Sequence, residues 1–213
     1  MNRLLYKNEV VWIIGASSGI GFALAKLLAN CGAHLALSAR REMKLAELKK
    51  IIGSDHKIYS LDVTNHEKVK QITNDIFIEF GRIDRIIYLA AAYTPMKLKT
   101  LDLSITKQMI DTNLLGAFHV IDAVLPIFNQ QNKGQIALCG SVAGYIGLPG
   151  GQPYSATKAA LINLAESLRA ELPFFIDVKI INPGFVESEL TNKNDFKMPM
   201  IISAKAAAEH IAY

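Results

Sequence analysis

A chain of 213 residues, 51% hydrophobic and 20% charged, has enough apolar mass to fold around one core and is too apolar for a disordered segment. Its formal charge of +4 comes from 23 basic and 19 acidic residues without a long basic run, which argues against nucleic-acid binding and suits an anionic, phosphate-bearing ligand. Two cysteines, Cys31 and Cys139, lack CxxC spacing, and no run of about 18 uninterrupted apolar residues follows; the reading is a cytoplasmic protein with no disulfide framework, zinc site or integral membrane segment.

Short apolar runs alternate with amphipathic stretches along the chain. Residues 10–14 read as a strand and 20–29 as a helix; 35–38 with 42–52 and 58–61 with 66–80 repeat the pair. Thr64 and Glu67 form the expected capping box of the third helix. A fourth strand over 83–90 precedes a long helix over 104–129, then come a strand over 135–139, a glycine-rich loop over 144–151, a helix over 154–171 and a sixth strand over 175–181. This rhythm predicts an α/β fold: a doubly wound parallel sheet with helices on both faces, in three layers and one domain across residues 1–213. Residues 203–213 begin an alanine-rich helix and stop without a following strand, so a C-terminally short form of the fold is expected.

After the first strand comes Gly15-Ala16-Ser17-Ser18-Gly19-Ile20-Gly21, entering a helix. Glycines there allow a tight turn and close approach of a pyrophosphate, whose charge meets the N–H groups of the helix N-terminus. The spacing is GxxxGxG, and by itself an ordinary turn would explain it. A dinucleotide site carries an acidic side chain about 20 residues further on to hold the ribose hydroxyls. This chain has Arg40-Arg41 there, which can grip a 2′-phosphate and which oppose the dipole of the helix they precede. The cofactor expected is therefore NADP (NADPH) rather than NAD. Asp62-Val63, ending the third strand, stands where adenine would pass; Asp62 serves equally well as a turn or cap residue.

Tyr154 and Lys158 lie one turn apart at the start of a helix, so both project from one face. A neighbouring Lys⁺ and an oxidised nicotinamide both favour the phenolate and are expected to lower the tyrosine pKa from its ordinary value of about 10. Tyr154 then protonates a carbonyl oxygen during reduction and deprotonates an alcohol during oxidation. The same spacing recurs in Tyr93-Thr94-Pro95-Met96-Lys97, where Pro95 rules out a regular helix and makes the pair a decoy. Ser141, just past the fifth strand, is placed to hold the substrate oxygen beside the phenol.

On these residues the chain resembles the short-chain dehydrogenase/reductase family over nearly all its length. The resemblance implies a Rossmann-type sheet in the order 3-2-1-4-5-6, usually with a seventh strand that here would lie beyond Tyr213. Residues Gly15, Ser17, Ser18, Gly19, Ile20 and Gly21 match its cofactor loop. Asn113-Leu114-Leu115-Gly116 matches a motif in which the asparagine backbone holds a water that links Lys158 to solvent. Asn182-Pro183-Gly184 and Val186 match the nicotinamide-contacting segment, with Ser188 in place of a threonine. Also implied are metal-free hydride transfer to a small carbonyl or alcohol and a homodimer through the helices around 104–130 and 154–172. The five histidines show no ligand spacing and are expected at the surface or on helices.

The family usually has Asn-Asn-Ala-Gly where Tyr88-Leu89-Ala90-Ala91 stands. Leu89 cannot make the hydrogen bonds of the second asparagine, and Ala91 adds a methyl where the backbone passes the nicotinamide ribose, with Ala90 beside it. Gln152, Phe185 and Leu190, with Phe196 and Met198, are the expected substrate pocket and suggest an apolar ligand, although such residues equally pack loops. An alternative to the enzyme is a non-catalytic NADP(H)-binding sensor or scaffold on the same fold.

Overall fold

The computed structural model describes residues 6–212. β1 (Val10–Ile14) is buried along its whole length, as the centre of a sheet covered on both faces must be. Parallel to it run β2 (His34–Ala39) and β3 (Lys57–Ser60) on one side and β4 (Arg85–Tyr88), β5 (Gly134–Cys139) and β6 (Ile176–Ile181) on the other. The order is 3-2-1-4-5-6. Each successive pair is joined through helix: α1 (Gly19–Asn30), α2 (Glu42–Ile52), α3 (His66–Phe80), α4 (Leu103–Ile110) with α5 (Gly116–Gln131), and α6 (Gln152–Glu171). The fold class expected from the rhythm of the sequence is the one observed.

Alternation along β1 sorts the core into two layers. Val10, Trp12 and Ile14 face Val69, Ile72 and Ile76 of α3, Val120 and Val124 of α5 and Leu161 of α6. Val11 and Ile13 face Leu24 and Leu28 of α1, Leu45 and Leu48 of α2 and Ala208 of α7 (Ala204–Ile211). The buried Trp12 indole donates to Ser38 Oγ at 2.8 Å, which satisfies the one polar atom of that side chain.

Three local expectations need correction. The Thr64–Glu67 capping box does not form: the Thr64 hydroxyl donates to Asp62 instead, and Asn65 caps α3 by accepting from Lys68 N at 2.9 Å. His56 is buried at 7% exposure and accepts from Leu35 N, so burial lowers its pKa. The long helix over 103–131 is not uniform but passes through one π-helical segment, Asp111–Leu115, between α4 and α5. It is long and apolar enough to cross a membrane by length and composition alone, with a mean hydropathy of 1.3. Here its buried face packs on α3 and α6, the place of a core helix.

Past β6 the chain makes an excursion over residues 185–202 that closes at its base. Val186 pairs in parallel with Ile202, and Glu187 N donates to Ile202 O at 2.9 Å. Ser203 then caps α7 by accepting from Ala206 N, and α7 packs on α1.

Candidate active site

In a parallel sheet every strand ends on the same edge, and between β1 and β4 the connections turn in opposite directions, which opens a crevice there. A cleft of about 440 Å³ follows that edge, with walls from the loops after all six strands. It brings together Gly15, Ser17, Ser18, Gly19, Ile20, Gly21, Arg40, Arg41, Asp62, Val63, Ala90 and Ala91 with Ser141, Tyr154, Lys158, Pro183, Gly184, Val186, Ser188 and Leu190. Gln152 and Phe185 are not on its wall: Gln152 Oε1 is buried without a hydrogen-bond partner, and Phe185 packs edge-on against Phe196 with centroids 5.8 Å apart.

At the glycine loop, Gly15 has φ +100°, and a Cβ there would stand 2.6 Å from Ala90 N, so only glycine lets the ends of β1 and β4 approach so closely. The first turn of α1 carries no acidic residue, and its N-cap, Ser18, makes no side-chain bond to it, which leaves its N–H groups available to an anion. Arg41 closes the loop from above. Its Nη2 donates to Ser17 Oγ at 3.1 Å and Ser18 Oγ at 2.8 Å, and its Nη1 pairs with Glu189 Oε2 at 2.7 Å. Arg40 is exposed beside it. Asp62 is both a cleft residue and a turn residue, accepting from Thr64 N at 3.0 Å.

Along the same cleft, the loop after β5 delivers Ser141 and the first two turns of α6 deliver Tyr154 and Lys158. Lys158 is 2% exposed and donates to Cys139 O at 2.6 Å, with its ammonium 5.4 Å from the Tyr154 ring centroid. Burial lowers its pKa, with Cys139 acting in the opposite sense. Ser141 Oγ accepts from Ala143 N at 3.1 Å, so its hydrogen remains free to donate. Burial pushes the Tyr154 phenol well above the ordinary tyrosine range; Cys139 and Tyr93 add to this and the Ser141 hydroxyl opposes it. Among the chain's own groups, desolvation outweighs the lowering expected from a neighbouring cation, and the oxidised nicotinamide that formed the other half of that expectation belongs to the bound cofactor.

Asn113 stands behind the wall, fully buried, in the π-helical segment. Its side chain clamps Ala92, accepting from Ala92 N at 2.7 Å and donating to Ala92 O at 3.0 Å, and it also donates to Thr157 Oγ1 at 3.1 Å. Thr157 in turn donates to Tyr154 O. Tyr93, dismissed in the sequence as half of a decoy pair, lines the cleft with its ring 4.9 Å from that of Tyr154. No helix spans Tyr93 and Lys97, as Pro95 required. The same proline marked a loop at the carboxyl end of β4, the kind of place where sites form, and that was the signal available for Tyr93.

A sheet of this order with such a cleft defines a dinucleotide-binding α/β protein. The family model described as short chain dehydrogenase matches residues 9–198. An uncharacterized oxidoreductase of Mycobacterium tuberculosis is 37% identical over 212 residues, covering 96% of this chain and 84% of its own. The solved closed form of a serine dehydrogenase complexed with NADP⁺ superposes with a TM-score of 0.89 at 27% identity, covering 95% of this chain and 87% of its own. The structure of ElxO with NADP bound gives a TM-score of 0.86 at 25% identity, covering 96% and 90%. The chain belongs to the short-chain dehydrogenase family, and it is an oxidoreductase of that type.

Proposed function

We propose that residues 1–213 form a single catalytic domain that interconverts a carbonyl and a secondary alcohol with NADP(H), using Tyr154 as general acid and base. The observation that carries this reading is the convergence of Tyr154, Lys158 and Ser141 on the same cleft as the glycine loop and Arg41. The donor set fits a phosphorylated dinucleotide: open N–H groups at the start of α1, two serine hydroxyls, and just past β2 the Arg41 guanidinium, whose pairing with Glu189 a phosphate would have to replace. NADPH, when bound, supplies the hydride. Gly15, Ser17, Ser18, Gly19, Ile20 and Gly21 would hold its pyrophosphate, Arg40 and Arg41 its 2′-phosphate, Asp62 and Val63 its adenine side, and Ala90, Ala91, Pro183, Gly184, Val186 and Ser188 its nicotinamide half.

The remaining work falls to four side chains. The Ser141 hydroxyl donates to the substrate oxygen and orients it toward Tyr154, which gives that oxygen a proton on reduction and removes it on oxidation. Lys158 uses one of its three N–H donors on Cys139 O, leaving two for a ribose hydroxyl or a water. Asn113 holds the wall against which this set is built. Leu190 gives the substrate end an apolar side, in keeping with a small apolar carbonyl.

The reading is tested by following NADPH and NADH consumption on a panel of ketones and aldehydes. Carbonyl-dependent consumption that prefers NADPH is expected. Arg41→Ala should weaken NADPH binding by about 1.5–3 kcal/mol, the range of a hydrogen bond to a charged group, and leave NADH binding nearly unchanged. Consumption with neither cofactor on any carbonyl would contradict it.

A further inference from the structure

Tyr93 makes three separate contacts, one to Tyr154 and two to neighbouring residues of the segment after β6. Its ring packs edge-on against Tyr154 at 4.9 Å. Its hydroxyl donates to Asn194 Oδ1 at 2.7 Å, and its carbonyl accepts from Lys193 Nζ at 2.6 Å. Both partners sit in the excursion after β6, about 100 residues further along the chain, which otherwise is tied down at its base by the Val186–Ile202 pair. Asn194 continues the chain of contacts by donating to Met198 Sδ. On the other side, Ala92 immediately before Tyr93 is clamped through both its backbone groups by Asn113. Tyr93 therefore stands on a footing held by Asn113, with its ring on the phenol and its hydroxyl on the excursion after β6.

We infer that Tyr93 is a positioning residue: it latches residues 191–198 over the substrate end of the cleft through Asn194 and Lys193, and its ring fixes the tilt of the Tyr154 phenol. The inference rests on the proposed enzymatic role of Tyr154 for its second half only. A shut latch excludes water from the phenol and completes the substrate wall, so closure and proton transfer meet in one side chain. The edge-to-face contact is the preferred geometry for two aromatic rings, which makes it a directional restraint rather than mere filling.

Limited trypsin digestion of the full chain at Lys193 and Lys197 reads the latch without any activity assay. Tyr93→Phe keeps the ring and removes the hydroxyl; Asn194→Ala removes the acceptor. Each should speed cleavage there by roughly 2- to 12-fold, the range for loss of one hydrogen bond, and the double variant should be no faster than the single ones because both lose the same bond. On a turned-over carbonyl, both single variants should raise KM more than they lower kcat, whereas Tyr93→Ala should lower kcat as well, and Tyr93→Phe should restore most of that kcat loss. Cleavage at the wild-type rate in both single variants, or additive acceleration in the double, overturns the latch. Equal kcat in Tyr93→Ala and wild type overturns the positioning of Tyr154. If wild type binds NADPH and turns nothing over while cleavage changes as stated, the latch stands and the enzymatic reading falls.

Discussion

In the reaction proposed for Tyr154, a tyrosine that donates a proton at neutral pH must keep it until the substrate oxygen arrives, and burial raises its pKa in that direction. Because its pKa lies above the ordinary value, the protonated form fills the neutral range. Reduction uses that form, so its kcat/KM should stay flat between about pH 6 and 8 and decline only in strong alkali. Oxidation uses the phenolate, so its rate should climb with pH through the same interval. Rate profiles in the two directions check this, and a reduction rate that falls between pH 6 and 8 would contradict it. The residues of this constellation were legible because Tyr154 and Lys158 share a helix face and Ser141 lies just past a strand. The direction of the pKa was not, since desolvation is a property of the assembled cleft. Tyr93 escaped for a related reason: its spacing was weighed as a helix pattern, while its role comes from contacts with Tyr154 and Asn194 that only the folded loops create.

At the scale of elements, the π-helical segment Asp111–Leu115 places Asn113 where its side chain can clamp Ala92. Tyr88 supports that segment from the sheet. It stands where the resembled family has an asparagine, it is 1% exposed, and its hydroxyl donates to Thr112 O at 2.5 Å. Room for it comes from Gly116, where an added Cβ would stand 2.7 Å from Val63 Cγ2 and closer still to the Tyr88 hydroxyl. Gly116→Ala should therefore cost about 1–3 kcal/mol, an overpacking penalty, and lower Tm by roughly 2–12 °C in a chain of this size. Thermal unfolding checks it; an unchanged Tm would show that the turn gives way without cost. The Asn-x-x-Gly spacing pointed to this segment, yet the π geometry could not be read, because α and π turns share the same apolar periodicity over so few residues. The bounds of α3 were read correctly as 66–80 but its cap was not: Thr64, Asn65 and Asp62 are all able cap formers, and the Asp62 carboxylate decides between them by taking Thr64.

For the whole molecule, the parallel sheet with helices on both faces followed from the alternation of short apolar runs with helices, whereas the strand order 3-2-1-4-5-6 came from the family resemblance. What surrounds the monomer was less legible. On the helix pair over 103–131, Leu103, Ile110, Leu115 and Phe118 are 43–73% exposed. The homodimer expected through this region and α6 would cover part of that apolar surface. Sedimentation equilibrium should give a dimer for the wild type and a monomer for Phe118→Lys; a monomeric wild type would contradict the assembly. The central claim is that the cleft performs chemistry at Tyr154 rather than only binding a nucleotide. Its most direct test compares wild type with Tyr154→Phe for NADPH affinity and for carbonyl turnover on the same preparations. In Tyr154→Phe, NADPH affinity should stay within about twofold of wild type and turnover should fall by about 10²- to 10⁴-fold, the range assigned to a positioned general acid. Turnover in Tyr154→Phe equal to that of wild type, or NADPH binding with no turnover in either, would contradict it, the second result in favour of a nucleotide-binding sensor.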